Sequence, residues 1–96
     1  MEHTIIHNEQ KGRFELSLEG HLAHIDYVRG DGTLDLHHTL VPKPLEGRGI
    51  GSLLTRFALD YAVANDLKVI PTCPFVKVFI DRHPAYQPLT DISNED

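Results

Sequence analysis

In VPKPLEGRGIGSLL, residues 41–54, three glycines at alternate positions run directly into an apolar helical pattern, and this restricts the fold more than any other stretch. Glycine is costly at a helix start unless the backbone needs a conformation or a close approach that side chains forbid. The pattern predicts a tight turn feeding a helix N-terminus. Such a turn leaves several backbone N–H groups unpaired with the positive end of the helix dipole behind them, a setting suited to phosphate. Spacing excludes two common nucleotide motifs. No Gly-Lys-Ser/Thr follows, as a Walker loop requires, and G-x-G-x-G is not the G-x-G-x-x-G of a dinucleotide fold. The residues alone leave two readings: Gly47, Gly49 and Gly51 cradle a pyrophosphate, or they make a bare strand-to-helix turn.

The flanks say which elements the turn joins. Upstream, apolar residues alternate at the period of half-buried strands. Strands are predicted at Ile5 and Ile6, over 14–18 and over 22–28, the last with Ala23, Ile25 and Tyr27 on one face and His24 and Asp26 on the other. A fourth runs from Thr33 to about Val41, with Leu34, Leu36, His38 and Leu40 sharing a face, and Asp31-Gly32 marks the hairpin before it. Downstream, Ile50, Leu53, Leu54, Phe57, Ala58 and Tyr61 have helical spacing, predicting a helix over 49–65. Residues 68–71 (KVIP) form a short strand beside the 33–41 strand. Pro74 opens a second helix to about Arg82, and Pro84 stops it. The order is ββββαβα, an α+β class with a mostly antiparallel sheet, read as a single domain over 1–96 with a loose tail at about 90–96.

Composition narrows the function classes. The net charge is −5 and no Lys/Arg cluster offsets it, which argues against a nucleic-acid partner. No apolar run approaches the roughly 20 residues of a membrane span, and the first residues lack the pattern of a signal peptide. With Cys73 as its single cysteine the chain forms no intrachain disulfide, so a reducing, cytoplasmic setting is expected. His21 with His24, or His37 with His38, lacks a third ligand at a sensible spacing, so no metal is expected.

LEGRGIGSLL resembles the acyl-CoA-binding signature of the GNAT acetyltransferase superfamily, Q/R-x-x-G-x-G/A followed by a helix, with the last two glycines on Gly49 and Gly51. With HTLVPKPLEGRGIG and KVIPTCPFVKVFIDRHPAYQPL, the likeness covers roughly residues 34 to 89 and is to a minimal, single-domain branch. It implies a truncated GNAT-like acyl-CoA N-acyltransferase fold with acetyl-CoA as co-substrate and an unidentified amine as acceptor. It also implies a pyrophosphate site at Arg48, Gly49, Ile50, Gly51 and Ser52, and a pantetheine edge at about Leu40 and Val41. Two departures stand out. Glu46 occupies the Q/R position, with its side chain expected to point away from the phosphates, and Arg48 reads either as a substitute charge or as a solvated turn residue. The chain also lacks the two helices that larger members place between their first strands, where they form a wall of the acceptor site. A non-catalytic acyl-CoA-binding module is therefore the second reading.

Acetyl transfer from a thioester to an amine needs a base for the amine and a proton for the departing thiolate. Cys73 precedes a predicted helix, where a thiolate is favoured. It reads as an acyl-accepting nucleophile, as a polar group beside the pantetheine, or as an inert buried thiol. His38 is the candidate base. The tyrosine that usually protonates the thiol in this family falls near Phe79 or Ile80 and is absent there. Tyr86 reads as packing, Lys77 and Arg82 as solvated residues within reach of the CoA phosphates, and His83 as a helix-end cap. An exposed sheet edge on so small a chain fits a monomer or a weak homodimer.

Overall fold

The computed structural model describes residues 4–90. Strands β1 (Ile5–Asn8), β2 (Arg13–Leu18), β3 (His21–Arg29), β4 (Thr33–Leu40) and β5 (Lys68–Ile70) form one sheet in sequential order. The first three pairings are antiparallel, and β5 runs parallel to β4. A parallel neighbour needs a crossover; α1 (Ile50–Ala64) supplies it, and α2 (Pro74–Asp81) follows β5. The expected ββββαβα order and α+β class hold. Two 3-10 segments, Lys43–Leu45 and Pro84–Thr90, lie where the sequence indicated only proline punctuation. Residues 91–96, most of the expected tail, lie outside the described residues.

Period-two alternation puts Phe14, Leu16, Ala23, Ile25, Leu34 and Leu36, all fully buried, on the sheet face that receives both helices. Ile50, Leu54, Ala58, Leu59 and Ala62 of α1 meet them, with Val76, Phe79 and Ile80 of α2. Each large apolar side chain buried there contributes about 1.5–3 kcal/mol. The other face mixes the exposed apolar side chains of Ile6, Val28 and Leu40 with polar pairs: Arg13 Nε lies 2.6 Å from Glu15 Oε2, and His24 Nδ1 lies 2.8 Å from Asp26 Oδ1. Among the described residues, neither helix packs on it.

One irregularity changes which residues of β4 face the core. Asp26 pairs with His38 but Tyr27 with Leu36, so His37 is an extra residue and β4 bulges there. Directly opposed residues of an antiparallel pair share a face. Thr39, opposite the buried Ile25, therefore faces the core side, while His38 and Leu40, opposite Asp26 and His24, face outward. The expectation that His38 and Leu40 share the face of Leu34 and Leu36 is corrected. A bulge reverses every later side chain, and apolar alternation carries no sign of it.

Candidate functional site: a glycine cradle beyond a short parallel strand pair

β4 and β5 pair over only three residues, ending at Asp35 and Ile70. Pro71 follows and has no N–H to continue the ladder. The chain turns with Thr72 N donating to Ile70 O at 3.0 Å, and Cys73 N donating to Leu36 O at 2.8 Å is the last link across the pair. β5 ends at Ile70 and gives way to the turn into α2, while β4 continues to Leu40. Among the described residues no strand pairs with that edge of β4 over 37–40.

The glycine turn closes the far end of this opening. Leu45, fully buried, anchors the 3-10 turn that follows β4. Gly47 and Gly49 then take left-handed φ values of 82° and 76°, and Gly49 is the N-cap of α1. A Cβ on either would meet nothing within 4 Å, so conformation rather than crowding demands glycine, and the space above both is open. Gly51 differs. A Cβ there would lie 3.1 Å from Phe75 Cζ and 3.6 Å from Val41 Cγ2, so this glycine makes room for the Phe75 ring of α2. The helix starts without a capping side chain, and the first-turn amides of Ile50, Gly51 and Ser52 have no intrahelical acceptor. These amides face a cleft of about 230 Å³ between the turn, Val41 and Phe75.

Of the residues expected at the pyrophosphate and pantetheine, the cleft brings together Val41, Gly49, Ile50, Gly51 and Ser52. Leu40 points to the outer face. The Arg48 guanidinium makes a two-pronged ion pair with Glu19 on the β2–β3 turn, Nη1 to Oε2 at 2.8 Å and Nη2 to Oε1 at 3.0 Å. Both side chains of this pair are exposed. Glu46 is exposed at the rim of the cleft.

Cys73 is the N-cap of α2 and is 5% exposed, with its Sγ 3.5 Å from Thr39 Oγ1. Burial pushes its thiol pKa up. The Thr39 hydroxyl and the amides of Val76, Phe75 and Thr39 outweigh this and hold it below the ordinary thiol value. Thr39 is the site residue that sequence reasoning passed over, because the bulge is what turns it toward Cys73. His38 is its immediate neighbour but lies on the opposite face, exposed.

The remaining candidates fall elsewhere. Phe79 and Ile80, at the usual tyrosine position, are buried. The Tyr86 hydroxyl donates to Asp60 Oδ1 at 2.7 Å and ties the C-terminal segment to α1. Lys77 lies 3.4 Å from Asp81 and away from the cleft. His83 Nδ1 lies 2.6 Å from Phe79 O, where a helix-end cap belongs. Among the described residues no three His, Cys, Asp or Glu side chains gather to hold a metal.

Comparison with known proteins gives a consistent picture. A family profile described as GCN5-related N-acetyl-transferase matches residues 13–89. Protein NATD1 of Mus musculus is 36% identical over 85 residues, covering 84% of this chain and 76% of its own. Protein NATD1 of Danio rerio is 34% identical over 90 residues, with 90% and 81% covered. Among solved structures, a GCN5-like protein from Staphylococcus aureus superimposes with a TM-score of 0.71 at 28% identity, over 90% of this chain and 85% of that one.

Proposed function

We infer that this chain, which belongs to the GCN5-related N-acetyltransferase family, binds acetyl-CoA at the glycine turn and transfers the acetyl group to an amine. One observation carries the reading. The uncapped N-terminus of α1, with open space over Gly47 and Gly49, connects along an unpaired edge of β4 to the thiol of Cys73.

The amides of Ile50, Gly51 and Ser52 suit the pyrophosphate, since they present N–H donors in a positive helix-end field. The edge of β4 at Leu40 and Val41 suits the pantetheine amides, which would add to it as an extra strand does. The acyl end then reaches Thr39 and Cys73. In the transfer, the amine nitrogen bonds to the acyl carbon, the carbon–sulfur bond breaks, the amine loses a proton and the departing thiolate gains one. His38 would take the amine proton from an acceptor entering over the outer face, one residue along β4 from Thr39. Cys73 and Thr39 border the departing sulfur. The single free thiol supports a reducing, cytoplasmic setting.

A second reading, a non-catalytic acyl-CoA-binding module, draws support from Phe79 and Ile80 at the usual tyrosine position and from the engagement of Tyr86 with Asp60. Acetyl transfer to polyamines, lysine peptides and free N-termini separates the two. Catalysis predicts turnover with at least one acceptor class, reduced about 100-fold in His38→Gln, the scale of a lost general base. Acetyl-CoA binding without turnover across the panel would leave the binding module.

A further inference from the structure

The contact between Thr39 and Cys73 depends on two irregularities of the backbone, and one side chain touches both. The bulge at His37 turns Thr39 toward the core side, and the turn after Ile70 brings Cys73 to the start of α2. Asp35 sits between them. It lies on the outer face of β4 and pairs with Ile70 in the last rung of the parallel ladder. Its Oδ1 accepts a hydrogen bond from the hydroxyl of Thr72, the residue before Cys73. Its Oδ2 lies 3.3 Å from Nε2 of His37, the bulged residue itself, an ion pair when that ring is protonated. On the backbone between these two contacts, Cys73 N donates to Leu36 O at 2.8 Å. Hydrogen bonds to an ionised acceptor are stronger than neutral ones. One carboxylate therefore clasps the bulge of β4 to the turn that carries the thiol.

We propose that Asp35 is a positioning residue for the thioester end of the donor site: by holding Thr72 and His37 together it sets the contact between Thr39 and Cys73. Its part in turnover rests on the acetyl-transfer reading, while its hold on Cys73 does not. Among the described residues no hydrogen bond joins Asp35 to Cys73 or Thr39, so it acts through the residues it holds. Position and charge predict opposite signs. As a nearby anion alone, Asp35 would disfavour the thiolate, and its removal would lower the pH at which Cys73 ionises. As a clasp it keeps the Thr39 hydroxyl within reach of the sulfur, and its removal raises that pH.

The pH midpoint for iodoacetamide alkylation of Cys73 in the folded protein separates the two, since a midpoint, unlike a rate, does not vary with access to the sulfur. Thr72→Val removes one arm of the clasp at an exposed residue and changes no charge. It should raise the midpoint by about half a pH unit, the scale of one weakened hydrogen bond. Asp35→Ala should raise it likewise. Asp35→Asn keeps an oxygen that accepts from Thr72 and loses only the charge, so its midpoint should lie at or below that of the wild type. With an amine that the wild type acetylates, Asp35→Ala should lower kcat about tenfold and leave the dissociation constant of acetyl-CoA within about twofold, and Asp35→Asn should restore kcat. A midpoint unchanged or lowered in Thr72→Val, or raised as far in Asp35→Asn as in Asp35→Ala, overturns the clasp and leaves the acyl-CoA reading standing. An unchanged kcat in Asp35→Ala overturns its part in turnover. A wild type that binds no acetyl-CoA overturns the acyl-CoA reading, and the midpoints still decide the clasp.

Discussion

At Cys73 two effects oppose each other. Burial disfavours the thiolate, while the Thr39 hydroxyl and the first-turn amides of α2 favour it, and the second group prevails. The pH midpoint for alkylation of the folded protein by iodoacetamide should therefore lie below that of an ordinary thiol. Thr39→Val removes the largest of the lowering contacts and should move the midpoint upward; an unchanged midpoint would show that Thr39 does not tune the sulfur. Glu46 poses the opposite problem, an anion at the rim of a cleft read as a phosphate site. Glu46→Gln should tighten acetyl-CoA binding about two- to fivefold at low salt and less at high salt, because screening weakens an exposed repulsion. Unchanged affinity at low salt would mean that its carboxylate does not sense the phosphates.

The elements were legible in the sequence to the extent that their cause is local. Alternation in 14–18 and 22–28 reports one buried sheet face, and the spacing of Ile50 through Tyr61 reports one buried helix face. The bulge at His37 was not legible, because it depends on how β3 and β4 align across the hairpin rather than on residues beside it. The same holds for the Arg48–Glu19 pair, whose partners are 29 residues apart, and for the Phe75 ring over Gly51. The glycines look equivalent in the sequence, yet they have different tasks, and substitution should separate them. Gly49→Ala forces a side chain into a left-handed conformation and should cost about 1–2 kcal/mol of stability. Gly51→Ala gains helix propensity but displaces the partly exposed Phe75 ring, so stability should change by less than about 1 kcal/mol. Acetyl-CoA affinity should stay within about threefold of wild type, since the signature admits alanine at this position, whereas Gly51→Leu should lower it about tenfold or more because the larger side chain and the displaced ring crowd the amides. Wild-type affinity in Gly51→Leu would contradict the close approach of a ligand to those amides.

For the whole molecule, what stands out is the uncovered sheet face. Both helices pack on one side, and among the described residues neither covers the side with His38, Asp26 and His24. The end of β4, the glycine turn and the N-terminus of α1 meet at one cleft. The most direct measurement is the melting temperature of the protein as acetyl-CoA is titrated. At a ligand concentration about 100 times the dissociation constant, binding to the native state alone adds about 2.7 kcal/mol, which for a chain of this size raises the midpoint by roughly 10–20 °C. A saturable rise of that kind, reduced in Gly51→Leu, is the result expected of an acyl-CoA site at the glycine turn. A midpoint that does not move at millimolar acetyl-CoA would contradict it.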